Sequence, residues 1–206
     1  MGSKYCMDIY FVRHGQTDGN VARRHQHPDI ELNEMGKLQV ARLAKLIKGL
    51  KPTHLITSTN KRAMLTAVAI GRECDLIPET YPNFEEMRRP NFLIGKRFLE
   101  WTALKYVWGW LFGLKTASMH DGESYDDFLA RILAAKAQLA ALPKQSKVVV
   151  VSHTVFINFF LEHMRRPEKM GIIRATLRFF AILRLKNTAV TKVTVKDGSW
   201  RIADRF

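Results

Sequence analysis

Cysteine is nearly absent: Cys6 and Cys74 are the only two in 206 residues. Two thiols make neither a disulfide framework nor a metal-binding signature, so a reducing, cytoplasmic setting is expected. Acidic residues are scarce too, 19 against 33 Lys and Arg, which leaves a net charge of +14. A field of that sign attracts phosphorylated metabolites, nucleic acid and anionic membranes alike. The chain has no basic tail, no aromatic RNA-binding motif and no zinc-finger spacing, so nucleic acid is not an expected partner. Long apolar runs are missing as well. The nearest, Tyr106 to Leu114 (YVWGWLFGL), falls well short of the roughly 20 residues a membrane span needs. Asp8 and Arg13 interrupt any apolar stretch of a secretory signal. No repeat, low-complexity tract or Pro/Gly/Ser linker divides the chain, and one domain over residues 1–206 is expected.

What is present is an ordinary globular share of apolar residues, 47%, arranged in an alternation of strand and helix patterns. Met7–Val12 and Lys147–Val151 are short continuous apolar runs, suited to strands buried on both faces of a parallel sheet. A helix is predicted from about Asn33, its N-cap, to Leu50, with Leu43, Leu46, Ile47 and Leu50 on one stripe. The strand Leu55-Ile56-Thr57 then meets Ser58-Thr59-Asn60, good capping chemistry for a helix from Lys61 to about Cys74. Residues 76–100 look irregular. Ser124 opens a helix with Phe128, Ile132, Ala135, Leu139 and Leu142 at spacings of 4, 3, 4 and 3, and Pro143 ends it. Thr154–Met164 is apolar all round and therefore a buried helix. Residues 189–195 and 200–202, joined through Asp197-Gly198, read as a hairpin. The implied fold class is α/β: a three-layer α/β/α sandwich with a mainly parallel central sheet.

Chemistry gathers at the strand ends. Arg13-His14-Gly15 follows the first apolar strand, Arg62 lies one turn into the helix after the second, and Ser152-His153 follows the valine strand. Parallel strands end on one edge of their sheet, and ligands of open α/β sheets bind outside those carboxyl ends. Two imidazoles and two guanidinium groups at one edge make an anion site that contains a nucleophile.

These residues resemble the histidine phosphatase superfamily, the phosphoglycerate mutase-like fold. The likeness runs through Phe11-Val12-Arg13-His14-Gly15-Gln16-Thr17, Asn20 and Leu32-Asn33-Glu34-Met35-Gly36. It continues in Ile56 to Ala63, Gly122-Glu123-Ser124 and Val151-Ser152-His153. The resemblance implies a metal-independent phosphomonoesterase, without cofactor, in which His14 forms a phosphohistidine. Arg13, Arg62 and His153 would clamp the phosphoryl group with help from Asn20. Thr154, where relatives commonly have glycine, joins the expected substrate-binding set. Glu86 is implied as general acid/base by aligning Phe84 with the apolar residue of the family's L-x-E pattern; Glu85 is the fallback. A small phosphorylated substrate is the expected partner, and a phosphate or sulfate ion would fit the same site. The chain departs from the family after the acid, where Arg88-Arg89-Pro90-Asn91 replaces a glycine-containing pattern, and it lacks the long insertion of cofactor-dependent mutases. Those departures favour water as acceptor. A mutase, or a binding protein on the same fold, is the alternative.

The remaining motifs have plainer readings. Residues of about 88–120 are expected to form a lid or cap, with Phe98, Trp101, Trp108, Trp110 and Phe112 packed over the crevice. His25 and His27 have metal-like spacing but no third ligand, and an exposed loop is expected. His54, His120 and His163 are expected to be structural or on the surface. Arg88, Arg89 and Lys96 are either contacts for further phosphate or carboxylate groups or an exposed basic loop.

Overall fold

Alternation within the two apolar runs decides the architecture. The structure is a computed structural model that describes residues 6–111, 121–165 and 185–205. Strand β1 (Cys6–Arg13) turns Ile9 and Phe11 to one side and Tyr10 and Val12 to the other; β4 (Lys147–Ser152) does the same with Val148/Val150 and Val149/Val151. All four valines are fully buried. Such a strand is stable only between two apolar layers, and the helices supply them.

Helices α2 (Glu34–Leu50) and α3 (Lys61–Cys74) cover the face of Tyr10, Val12, Val149 and Val151 with Leu43, Ala44, Ile47, Ala67 and Ile70. The opposite face carries α5 (Tyr125–Ala140) and α6 (Thr154–Arg165), through Phe128, Ile132, Leu139, Phe156 and Phe160. Helix α4 (Trp101–Leu111) joins this second cluster through Ala103, Tyr106 and Trp110. The sheet has the order β3-β2-β4-β1-β5-β6, with β2 at His54–Thr57, β3 at Glu79–Thr80, β5 at Val190–Lys196 and β6 at Ser199–Arg205. Its first four strands are parallel; β5 and β6 form an antiparallel hairpin beside β1. The fold is the expected α/β sandwich on a mainly parallel sheet.

Several local expectations need correction. Leu46 is 66% exposed, and Val40 and Ala44 take the core positions on α2 instead. Asn33 does cap α2, its side chain accepting from the Gly36 N–H at 2.8 Å. At α3 the N-cap is Asn60, but its side chain makes no capping bond; Ser58 Oγ accepts from the Asn60 N–H at 3.1 Å. A short helix α1 (Asp18–Val21) and the short strand β3 stand where only loop was expected, together with single 3-10 turns at Pro82–Phe84 and Asn91–Leu93. Helix α5 ends at Ala140, three residues before Pro143, and Leu142 only packs partly on the core. Trp110 is buried and lines the crevice, whereas Trp101 and Trp108 are exposed and do not contribute to its wall. Phe112, Leu114 and His120 lie outside the described residues.

Candidate active site

Register brings the site together before any side chain is considered. β1 pairs with β4 so that Arg13 stands opposite Ser152, and the backbones continue to His14 and His153, with the His14 N–H on the Ser152 carbonyl at 3.1 Å. β2 flanks β4 on its other side, and the Ser58 N–H reaches the Val151 carbonyl at 3.1 Å. Three strand ends therefore open at one edge. The chain leaving His14 lies tightly on α2: a Cβ added at Gly36 would sit 2.1 Å from the Gln16 carbonyl oxygen. Only glycine permits that approach.

Arg13, His14, Asn20, Arg62, Glu86 and Thr154 all line one cavity of about 780 Å³. His153 does not line it. It is fully buried, with its ring centroid 5.1 Å from that of His14 and its Nε2 2.7 Å from Ser58 Oγ. Its Nδ1 is buried without a hydrogen-bond partner among the described residues.

The tautomer of His14 follows from its neighbours. Nδ1 lies 2.7 Å from the Gly15 carbonyl, which can only accept, so Nδ1 carries the hydrogen. Arg62 Nε donates to His14 Nε2 at 3.3 Å, which requires a lone pair there. Burial first, then the charges of Arg62 and Arg13, hold the His14 pKa well below its ordinary value. The result is a neutral ring whose free lone pair meets a guanidinium at the cavity wall. Burial also pushes Arg13 and Arg62 down to about 10, with Glu86 opposing the shift in each; both stay charged at neutral pH.

Glu86 is placed by helix α6. Its carboxylate accepts from the N–H groups of Met87 (3.1 Å), Val155 (3.2 Å) and Phe156 (3.0 Å). A carboxylate offers about four lone-pair positions, so one is left for a mobile proton. Glu85 is committed elsewhere, accepting from Thr59 Oγ1 and from Arg88 Nε at 2.9 Å, and it does not line the cavity.

Two supporting residues were not anticipated. Asn187 Nδ2 donates to the His14 carbonyl at 3.1 Å and to Asn20 Oδ1 at 3.0 Å, while Thr17 and Asn20 close a reciprocal capping box on α1. Arg131 pairs with buried Glu123 through Nη2–Oε1 at 2.5 Å and Nε–Oε2 at 3.1 Å. It also donates to the carbonyls of Glu85 (2.7 Å) and Glu86 (3.2 Å). A further correction concerns His25: it is 7% exposed and faces this cavity, not solvent. His27 is exposed, as expected, beside Asp29.

Burial of neutral histidines makes the fold acid-sensitive. His14, His153 and His25 all have pKa values lowered chiefly by burial, His25 to about 3, from an ordinary 6.5. Below 6.5 the unfolded chain binds protons that the folded chain refuses, so stability falls as pH falls. Each ring contributes up to about 1.4 kcal/mol per pH unit within its window. The urea midpoint is expected to be level from pH 7.5 to 7 and to drop steadily between pH 6.5 and 5. A midpoint that stays constant to pH 5 would contradict the assigned neutral rings.

Comparison with known proteins agrees with this geometry. A family model described as the histidine phosphatase superfamily (branch 1) matches residues 9–205. The chain is 28% identical over 197 residues to a probable phosphoglycerate mutase, GpmB, of Proteus mirabilis, covering 94% of this chain and 87% of that protein. Among solved structures it is similar to phosphoserine phosphatase of Entamoeba histolytica in complex with 3-phosphoglyceric acid. There the TM-score is 0.78, with 22% identity, covering 97% of this chain and 96% of that one. A mycobacterial glucosyl-3-phosphoglycerate phosphatase gives a TM-score of 0.75 at 24% identity, covering 96% and 97%. With two histidines and two arginines at one sheet edge and a family match over nearly its whole length, the chain belongs to the histidine phosphatase superfamily, branch 1.

Proposed function

We propose that the protein is a phosphomonoesterase working through a phosphohistidine on His14. The observation that carries this reading is the neutral, Nδ1-protonated His14, whose Nε2 lone pair is held by Arg62 at the wall of a cavity that also contains Glu86. Nε2 attacks phosphorus as the ester P–O bond breaks, and Glu86 gives its proton to the departing alkoxide. Water then attacks the phosphohistidine, Glu86 takes up the proton, and inorganic phosphate leaves with His14 neutral again. Arg13 and Arg62, with Asn20 and Thr154, steady the phosphoryl oxygens, where most of the catalytic work of such transfers lies. His153 backs the nucleophile from behind the cavity wall, its ring centroid 5.1 Å from that of His14. Of the expected cap, the described residues 88–111 are assigned to that role, since Phe98, Val107 and Trp110 contribute to the cavity wall. The chemistry needs neither metal nor cofactor in this scheme. No helix among the described residues is long and apolar enough to cross a membrane. A cytoplasmic location, expected from the two thiols, belongs to the same proposal.

The rival is a mutase that returns phosphate to an organic acceptor, favoured by the name of the curated relative. Product analysis separates the two: a phosphatase releases inorganic phosphate in step with substrate loss, whereas a mutase conserves ester phosphate. A panel of phosphate esters, read as phosphate release, is the direct test, and absence of release from every ester would refute the phosphatase reading. Glu86→Gln is expected to lower kcat on alkyl phosphates by about 10²- to 10⁴-fold, the usual worth of a placed acid. On 4-nitrophenyl phosphate, whose leaving group needs no proton, the loss should be far smaller. Equal losses on both substrates would remove Glu86 from the acid role.

A further inference from the structure

Two of the four tryptophans stand where folding alone gives no reason for them. Trp101 is 68% and Trp108 42% exposed, and both belong to α4. With Lys105 they follow helical spacing, so the three share one stripe of the helix. The Lys105 ammonium lies over the Trp101 ring, 5.2 Å from its centroid. Leu99 and Phe92, before the helix in the chain, are exposed as well. Single exposed apolar side chains are ordinary, but indole rings repeated along one stripe are not.

The helix beneath that stripe is firmly held. Its opposite face sinks Ala103, Tyr106 and Trp110 into the core. Trp110 Nε1 donates to the Glu123 carbonyl at 2.9 Å, and its ring meets those of Tyr125, Phe128 and Phe159. Phe92 stands edge-on to Tyr106, with ring centroids 6.3 Å apart. The outward rings are therefore set on a fixed platform and lose little freedom when something covers them.

Charge selects what covers them. Helix α4 contains no Asp or Glu, and the ion on its outer stripe is Lys105; exposed Arg97 comes shortly before it. Glu100, the acid next to the helix in the chain, is engaged by Lys96 at 2.9 Å. A second copy docked face to face would set Lys105 and Arg97 against their own counterparts. An anionic lipid surface has the opposite charge, and it takes indole rings at the level of its headgroups while lysine reaches the lipid phosphates. The net charge of +14 acts in the same direction. Position gives such docking a consequence. Val107 and Leu111, from the neighbouring flank of α4, line the cavity that holds His14, and so does exposed Leu99.

We propose that the outer face of α4, with Leu99 and Phe92, docks on an anionic lipid bilayer and sets the cavity mouth at its surface. This contact does not depend on the phosphatase reading.

Flotation of the full chain with lipid vesicles tests it. Vesicles of phosphatidylcholine mixed with phosphatidylglycerol are expected to bind the protein at least about tenfold more tightly than phosphatidylcholine alone. Replacing both indoles, Trp101→Ser with Trp108→Ser, removes no charge and should still weaken that binding at least about tenfold. Lys105→Glu is set against Lys45→Glu, an exposed position of α2 on the other face of the sheet. The charge change is the same, so only Lys105→Glu should weaken binding by more than about threefold. Thermal melts check folding, and the lysine pair decides if the serine variant does not fold. Binding that survives loss of both indoles would reduce the interaction to bulk charge and overturn the surface. Equal affinity for the two kinds of vesicle, no binding to either, or equal losses from the two lysine variants would also overturn it. Sedimentation velocity without lipid covers the remaining occupant: a dimer that the serine variant dissolves would give this face to a second copy instead.

Discussion

Replacing His14 with alanine is expected to reduce hydrolysis of every phosphate ester by at least about 10⁴-fold, the scale on which removal of a covalent nucleophile acts. The expectation rests on three features of the ring. It is neutral because burial and two guanidinium charges oppose its protonation, it is fixed in one tautomer by the Gly15 carbonyl, and its reactive nitrogen stands at the cavity wall. Alanine removes the lone pair but leaves Arg13 and Arg62 in place, so substrate affinity should fall little or even rise. A rapid quench of the unsubstituted protein in alkaline detergent with ³²P-labelled ester should trap label that is stable to alkali and released by acid, as a phosphoramidate is. The alanine variant should trap none. If it retained both label and turnover, the nucleophile would be elsewhere and the mechanism would fail. A Gln substitution at His153 offers a useful contrast. It keeps a polar group near Ser58 behind the nucleophile, so it should slow turnover without abolishing the trapped label.

Much of this site was legible because its residues are tied to strand ends. An apolar run that stops at Arg13-His14 and another that stops at Ser152-His153 fix both histidines to one sheet edge, provided that the strands are parallel and close in the sheet. They are immediate neighbours. Arg62 was legible for the same reason, one residue inside the helix that β2 feeds. Glu86 was selected by alignment alone, and it is the glutamate of the pair that lines the cavity. Where the sequence was silent, the partner is distant in the chain. Asn187 supports His14 across 173 residues, and its own surroundings carry no pattern beyond a loop before a hairpin. His25 reads as a polar loop residue, and its burial depends on the pairing of residues 23–25 with 95–98, which has no local signature. Leu46 fails differently. It has the right period, but it lies at the margin of a stripe already filled by Val40, Leu43, Ala44 and Ile47. Arg131 had a faint signal: it falls three residues after Phe128, on the buried face of α5, where a charge needs a partner.

That partner supplies the second large effect. Glu123 and Arg131 are both buried and make a two-point ion pair. Removing one member strands the other charge away from water, which costs about 3–5 kcal/mol. For a domain of this size each kcal/mol moves the melting temperature by roughly 2–4 °C, so Glu123→Leu or Arg131→Leu alone should lower Tm by roughly 6–20 °C. The double variant leaves no buried charge, and apolar replacement of such pairs is often neutral, so much of the Tm should return. Activity should not return with it. Arg131 also ties down the carbonyls of Glu85 and Glu86, and Glu123 holds the Arg88 N–H at 2.8 Å, so the pair fixes the stretch that aims the Glu86 carboxylate at the start of α6. A stable double variant with a loose Glu86 should keep most of its rate on 4-nitrophenyl phosphate and lose it on alkyl phosphates, as Glu86→Gln does. Calorimetry and the two-substrate comparison on the three variants read these effects independently. If the double variant recovered Tm and alkyl phosphatase activity together, the pair would serve stability alone. If the single variants melted like the parent, the pair would not be desolvated as its burial implies.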